Sequence, residues 1–405
     1  MRTRAVFVAF AALLLATGAA RAQMGHHQAT GGTCGDATLA CASAATPAFA
    51  PDGSLWLAWA AGGRVSVAHS TDLGHSFSPA VAVDAAPEHL DTGPDSRPAI
   101  VVAHDGVIVV AYAIFKDAHY NGEVFFTRSR DGGRSFAPPA PITASTASQR
   151  FAALAFDPEG ALFAAWLDKR DVAPARAAGK VYPGAALAYA WSHDKGGRFA
   201  PARIAADDTC ECCRIAVAFA GPGRPVVLFR NIFGGTVRDH GVITFRNSDT
   251  PGPLYRVSVD DWKIDACPHH GPSLAIGADG TYHAAWFTEG RVRQGLFYAR
   301  STDKGRTFST PRAIGDPTQQ LSRPYVLAVP GAIWLAWKAF DGEHARVLVM
   351  ASRDDGRSWG RPMVAAETAD ASDHPLLVSR DGRPYLSWLT HAEGYRLLPL
   401  GEKTR

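Results

Sequence analysis

The sequence predicts an all-β protein, a β-propeller of seven four-stranded blades, with six blades as the alternative. A glycine followed six residues later by an aromatic residue occurs seven times, 51 to 63 residues apart. Short strands that recur with turn signals at a long period indicate a propeller. The seven pairs are Gly53/Trp59, Gly106/Tyr112, Gly160/Trp166, Gly223/Phe229, Gly280/Trp286, Gly331/Trp337 and Gly382/Trp388.

A second repeat, S-x-D-x-G-x-x-F/W with one spare residue in places, occurs five times. Its aspartate can accept bonds from nearby backbone N–H groups, and its glycine tolerates a positive φ, so the pattern predicts a tight turn. We call it the Asp turn. The five copies are STDLGHSF at 70–77, SRDGGRSF at 129–136, SHDKGGRF at 192–199, STDKGRTF at 301–308 and SRDDGRSW at 352–359.

Together the repeats give each unit an inner strand A, a strand B, a strand C, the Asp turn and an outer strand D. The fourth unit has only a degenerate turn at 247–253, and the seventh ends soon after its third strand. A ring has to close, so we expect a strand from residues 34–45 to complete the last blade. The predicted organisation is an N-terminal arm with this closing strand at 23–45, followed by one propeller domain at 46–405.

The N-terminus has the three parts of a signal peptide. A positive MRTR is followed by the apolar run AVFVAFAALLLATGAA and by the cleavage pattern Ala20-Arg21-Ala22. Residues 1–22 are therefore predicted to be removed, which places the mature protein in the periplasm or outside the cell. We expect no membrane span in the mature chain. A net charge of +3 gives no indication of nucleic acid as a partner.

Two short stretches concentrate cysteine and histidine, CECC at 210–213 and CPHH at 267–270. CECC precedes strand A of the fourth unit and CPHH precedes strand A of the fifth. In a propeller, the crossovers that lead into the A strands lie on one face, so these neighbouring stretches should meet there. Six side chains are thereby predicted to converge: Cys210, Cys212, Cys213, Cys267, His269 and His270.

A set of thiolates and imidazoles suits copper, with zinc as the alternative. Thiolates favour Cu(I), while imidazoles also accept Cu(II). Accessory ligands are predicted from the start of the mature chain and from one loop on the same face: Met24, His26, His27 and His240. The leading hypothesis is a periplasmic copper-binding protein that works with a periplasmic or outer-membrane transport partner.

A second interpretation treats the cysteines as disulfides, because an exported chain with an even number of cysteines permits three bridges. Cys34 and Cys41 are seven residues apart and are predicted to pair locally. The other four would then bridge the fourth and fifth units, which would make the protein a stapled scaffold or a partner-binding propeller. Adjacent Cys212 and Cys213 are not expected to bond to each other.

The Asp turns resemble those of the sialidase (neuraminidase) superfamily over residues 46–390. The resemblance implies a sialidase-like propeller and, as an alternative function, an exo-sialidase-like glycoside hydrolase. Members of that family hold the substrate carboxylate with three arginines, and Arg97, Arg150 and Arg323 occupy mouth positions that would match this role. The arginine of the family's early R-I-P signature is absent, since the first unit begins ATPAF. No catalytic residue is assigned, and a non-enzymatic role is favoured.

Overall fold

The computed structural model describes residues 34–84, 86 and 88–401. The predicted signal peptide at 1–22 and the predicted ligands Met24, His26 and His27 lie outside these residues. Strands and turns make up nearly all of the described chain. In that part of the chain, no helix is long and apolar enough to cross a membrane.

The strands are labelled in chain order. The first two blades are β1 (Ala45–Phe49), β2 (Leu55–Ala61), β3 (Arg64–Ser70) and β4 (Val81–Ala82), then β5 (Ala99–Val102), β6 (Ile108–Phe115), β7 (Gly122–Ser129) and β8 (Ala140–Pro141). The next two are β9 (Gln149–Phe156), β10 (Leu162–Asp168), β11 (Ala185–Ser192) and β12 (Arg203–Thr209), then β13 (Ala216–Phe219), β14 (Pro225–Phe233), β15 (Val237–Thr244) and β16 (Leu254–Arg256).

The remaining blades follow the same order. They are β17 (Ser273–Ile276), β18 (Tyr282–Glu289), β19 (Gln294–Ser301) and β20 (Arg312–Ile314), then β21 (Gln320–Val329), β22 (Ala332–Phe340), β23 (Ala345–Ser352) and β24 (Met363–Thr368), and last β25 (Leu376–Arg380), β26 (Arg383–Thr390) and β27 (Gly394–Pro399). One short helix, α1 (Val172–Ala177), lies between β10 and β11, and a 3-10 turn (Leu39–Cys41) precedes β1.

The blades form a closed ring. Within each blade, successive strands pair antiparallel, and a single bridge between Thr209 and Asn231 joins the sheets of blades 3 and 4. Each inner strand contacts the inner strand of the next blade, from β1 through β5, β9, β13, β17 and β21 to β25, and β25 contacts β1. The predicted all-β propeller is confirmed, and it has seven blades.

The aromatic repeat forms the core. All seven of its aromatic side chains lie in the second strand of their blade, and all are buried. Bulky rings at one repeated position fill the space between neighbouring blades, and burial of such a ring stabilises the fold by several kcal/mol, on the order of 3–5 when measured by truncation to alanine. The repeat is therefore the packing unit of the ring.

The Asp turns show the bonding expected of them. In the first, the Asp72 carboxylate accepts the Ser76 N–H at 2.8 Å and the Ser70 hydroxyl at 2.7 Å. The Ser76 hydroxyl also donates to this carboxylate, and it contributes most to holding the pKa of Asp72 well below its usual value. The other two bonds act in the same direction. Each such turn fixes where strand C ends, on the face opposite the crossovers.

The expected closing strand differs from what the structure shows. Among the described residues, the seventh blade has three strands. Residues 34–44 contain the 3-10 turn Leu39–Cys41, which contacts β2 and β27 without extending either sheet. A disulfide between Cys34 and Cys41 holds their Cα atoms 5.5 Å apart. An extended chain of that length would span about 23 Å, so this segment cannot be a strand.

Side chains close the ring instead. The Asp373 carboxylate of blade 7 accepts two bonds from the Arg97 guanidinium of blade 2, at 2.6 and 3.0 Å. It also accepts the Ala45 N–H of blade 1 at 3.0 Å. The Asp373 side chain is almost entirely buried. One carboxylate thus connects the first, second and last blades.

We expect Asp373→Ala to lower the free energy of unfolding by about 3–5 kcal/mol, because it leaves the Arg97 charge buried without its partner. The matched control is Asp249→Ala, which breaks the exposed Arg203–Asp249 pair and should change stability by less than about 1 kcal/mol. Denaturant unfolding followed by tryptophan fluorescence measures both. Equal effects of the two substitutions would contradict this account of ring closure.

Candidate metal centre

The CECC and CPHH stretches meet on the crossover face, as the register of the repeats predicts. CECC lies between β12 and β13, and CPHH lies between β16 and β17, so each precedes the inner strand of its blade. The inner strands β13 and β17 are in contact. The crossovers of blades 4 and 5 are consequently neighbours.

Five of the six predicted ligands come together in two groups that share Cys212. In one group, the sulfur atoms of Cys210, Cys212 and Cys213 lie within 4.8 Å of one another. The Cys210 sulfur is 3.5 Å from that of Cys212 and 3.8 Å from that of Cys213. In the other group, Cys212, Cys267 and His269 meet the same limit. All four cysteines are free thiols.

The sixth residue, His270, is in neither group, and nor is the accessory candidate His240. The His270 ring stacks on Phe287 with the ring centroids 4.1 Å apart. His240 is buried beside Trp286, and burial holds its pKa well below the usual value. Two adjacent histidines therefore do different things: His269 belongs to the cluster, while His270 packs in blade 5.

The cluster has a buried end, formed by the CECC cysteines, and an exposed end at Cys267. Cys210, Cys212 and Cys213 are each at most 2% exposed, whereas Cys267 is exposed and His269 is half-buried. A metal ion from solvent would therefore meet Cys267 and His269 first. Cys212, which belongs to both groups, lies on the route inward to the three buried sulfur atoms.

The four thiols of the cluster differ in the direction of their pKa shifts. The pKa of Cys210 lies well below that of an ordinary thiol, because the Cys212 and Cys213 thiols donate to its sulfur, and Arg230 and Arg238 add positive charge. The hydrogen bond that the Cys212 thiol donates to Cys210 raises the pKa of Cys212. Burial raises the pKa of Cys213. The pKa of Cys267 is lowered, chiefly by a bond from Cys212.

Two arginines that are not among the site residues predicted from the sequence hold the cysteine–histidine cluster in place. The buried Arg230 guanidinium donates to the carbonyls of His270 and Phe287 at 2.8 and 3.0 Å, which ties strand β14 to the CPHH crossover. Arg238 Nη1 lies 3.4 Å from the Cys210 sulfur. The signal for Arg230 was present in the sequence, since it interrupts the apolar strand PVVLFRNIF.

The three arginines assigned to a substrate carboxylate are engaged by the protein's own acids. Arg97 bonds Asp373, as described above. Arg150 makes two bonds to Asp91, at 2.5 and 2.8 Å. Arg323 lies 3.0 Å from Asp95 and also donates to the His269 carbonyl. His269 has a left-handed backbone with φ of 50°, so Arg323 holds a strained residue of the cluster in place.

Beside the cluster, the channel contains a cavity of about 250 Å³. Arg97, Arg214, Asp95 and Tyr325 are among the residues that line it. The Arg214 guanidinium lies 3.6 Å from Asp95, and burial lowers its pKa to about 10. Most of the residues that line the cavity are apolar, and its charged lining residues are two arginines and one aspartate.

Comparisons with known proteins support the fold alone. No family model matches the chain, and no curated protein matches it. A Dyadobacter fermentans protein of unknown function is similar over 75% of this chain and 93% of its own, at 16% identity and a TM-score of 0.52. An ulvan lyase, which is a polysaccharide lyase, is similar over 87% of this chain and 90% of its own, at 11% identity and a TM-score of 0.57.

A Hadza microbial sialidase covers 88% of this chain and 64% of its own at 14% identity, with a TM-score of 0.48. The sialidase and the ulvan lyase are named for enzymes that act on glycans. At identities this low, similarity extends to the fold and not to the site. Membership of the sialidase superfamily stays a prediction.

The burial pattern predicts thiol reactivity. With a chromogenic disulfide reagent, we expect one fast thiol in the native protein, Cys267, and four after denaturation. The lowered pKa of Cys267 should keep this fast reaction going at pH values where an ordinary thiol is protonated. Cys267→Ser should remove the fast phase. Four slow thiols, or none, in the native protein would contradict the structure of the cluster.

Proposed function

We propose that this chain is an exported metal-binding propeller that handles copper, with Cys210, Cys212, Cys213, Cys267 and His269 as the ligand set. The observation that carries the proposal is the convergence of four free thiols and one imidazole on two adjacent crossovers. A propeller of this length already buries a large core, so it has little need of cysteines for stability.

The donor set favours Cu(I) over zinc. Thiolates bind zinc as well as Cu(I), but structural zinc sites are four-coordinate and tetrahedral. Here the donors form two three-membered groups joined by Cys212, and three sulfur atoms form the buried group. Bound Cu(I) with several thiolates is an anion, and the charge of Arg238, which lies 3.4 Å from the Cys210 sulfur, would stabilise it.

The proposed sequence of events follows the gradient of burial. Copper is captured by exposed Cys267 together with His269 and passes through Cys212 to the buried sulfur atoms. Each thiol that becomes a ligand loses its proton, so binding should tighten as pH rises. Release to a periplasmic or outer-membrane partner would run in the opposite direction, through the exposed end.

The test is copper binding by the untagged protein. We expect near-stoichiometric Cu(I) in competition with a chromogenic chelator, and an affinity at least about 100-fold lower in Cys212→Ser/Cys267→Ser, since the exposed group loses two ligands and the buried group one. The matched control is Cys34→Ser/Cys41→Ser, which removes the distant disulfide and should leave copper binding unchanged.

Unchanged copper affinity in Cys212→Ser/Cys267→Ser would overturn the proposal. Tight zinc binding without copper binding would replace copper by zinc. Protein purified without reductant that contains neither metal nor free thiols would instead support the scaffold interpretation, in which the four cysteines form bridges.

A second candidate is a glycan-acting enzyme, which the propeller fold and the channel cavity support only coarsely. The pairing of Arg97, Arg150 and Arg323 with internal carboxylates weighs against it, because each would have to leave its acid to bind a substrate. We expect no fluorophore release from a fluorogenic sialoside. Release that is lost in Arg214→Ala, at the one channel arginine with an unbonded buried Nη1 among the described residues, would establish this candidate instead.

A further inference from the structure

One cysteine connects the two halves of the metal centre. Cys212 is the residue that both three-membered groups contain. A disulfide between Cys212 and Cys267 would take one donor from the buried group and two from the exposed group. Cys210 and Cys213 would remain in the buried group, and His269 alone in the exposed group. A single covalent bond at this position would therefore disable both groups as three-donor sites.

The Cys212 and Cys267 thiols are placed to form this bond. Their sulfur atoms lie within 4.8 Å of each other, and the Cys212 thiol donates a hydrogen bond to the Cys267 sulfur. A disulfide brings its sulfur atoms to about 2 Å. Cys267 is exposed and lies in a stretch without regular secondary structure, so rotation of its side chain can supply the approach. Among the described thiols, Cys212 is the one that shares a group with Cys267.

The CPHH crossover does not depend on a sulfur bond for its position. Arg238 Nε donates to the Ile264 carbonyl at 2.7 Å, on the N-terminal side of Cys267. On the C-terminal side, Arg230 donates to the His270 carbonyl at 2.8 Å. Both arginines belong to blade 4, so they hold the CPHH crossover against that blade whether the two thiols are free or joined. A bond here would be reversible without loss of the fold, unlike a structural staple.

We propose that Cys212 and Cys267 form a reversible disulfide that controls copper binding by the metal centre. Oxidation by an external disulfide turns binding off, and reduction by a dithiol turns it on. The inference rests on the proposed copper function and adds the regulation of the same site. It also rests on export of the chain, since disulfides form and persist in oxidising compartments.

The reaction consists of two thiol–disulfide exchanges. Exposed Cys267 attacks one sulfur of the external disulfide, which breaks that S–S bond and releases the first external thiolate. The Cys212 sulfur then attacks Cys267 in the mixed disulfide, forms the internal bond and releases the second external thiolate. The external disulfide takes up the two electrons that the protein thiols lose, and their two protons pass to the released thiolates or to solvent. Cys210 and Cys213 are at most 2% exposed, so the external disulfide does not reach them first.

The chromogenic disulfide reagent tests the exchange in the native, reduced protein. We expect one equivalent of released chromophore from Cys267, at a rate that rises with reagent concentration. A second equivalent should follow at a rate independent of that concentration, because Cys212 attacks within the molecule. Cys212→Ser should release the first equivalent only. Peptide mapping of the oxidised wild type, which needs no variant, should locate the bond between Cys212 and Cys267.

Copper binding tests the consequence of the bond. The oxidised wild type should bind Cu(I) at least about 100-fold more weakly than the reduced protein, because it lacks the same ligands as Cys212→Ser/Cys267→Ser. Treatment with dithiothreitol, followed by its removal, should restore the affinity. The matched control is Cys34→Ser/Cys41→Ser, which lacks the N-terminal disulfide and should lose and regain copper binding as the wild type does.

Three results would overturn the switch while Cu(I) binding by the reduced protein stands. They are release of one equivalent only, a mapped bond between Cys210 and Cys213, and unchanged Cu(I) affinity after oxidation. A reduced wild type that binds no Cu(I) would overturn the proposed function, and the control of copper binding with it. The chromophore release and the copper titration thus separate failure of the switch from failure of the copper centre.

Discussion

Closure of the ring depends on the Arg97–Asp373 ion pair, because within residues 34–401 the seventh blade has three strands and residues 34–44 add none to it. Strand pairing propagates order within a blade, but it does not connect blade 7 to blade 1. That connection rests on inner-strand packing and on one buried carboxylate bonded to Arg97 and to the Ala45 N–H. Such a carboxylate is costly to bury and more costly to leave unpaired, so its bonds to Arg97 and Ala45 stabilise the closed ring.

A closed ring with one strand order separates two faces. Every crossover into an inner strand lies on one face, and every A–B turn and Asp turn lies on the other. Side chains far apart in the sequence, such as Cys212 and Cys267, therefore become neighbours through the blade register.

The sequence predicted the features that repeat. The seven aromatic residues and the five Asp turns gave the blade number and the register, and the register placed CECC beside CPHH. It did not predict features made by single long-range contacts. The partners of Arg97, Arg150 and Arg323 are acids whose positions no spacing reveals, and His270 turns toward Phe287 although its neighbour His269 joins the cluster. The closing strand was wrongly expected, because the loop between Cys34 and Cys41 prevents an extended chain.

The contacts of the arginines distinguish two interpretations of the crossover face, a site for an anionic sugar and a metal site. A site for an anionic sugar needs guanidinium groups that are free to bond a carboxylate, but here Arg323 bonds Asp95 and the His269 carbonyl. Arg230 likewise bonds the His270 carbonyl, and Arg238 lies against the Cys210 sulfur. Arg323 and Arg230 thus hold the ligand-bearing crossover in place, and Arg238 stabilises a thiolate. An arrangement in which cations support sulfur donors favours a bound metal with an excess of negative ligands, which is the charge state of Cu(I) thiolate complexes.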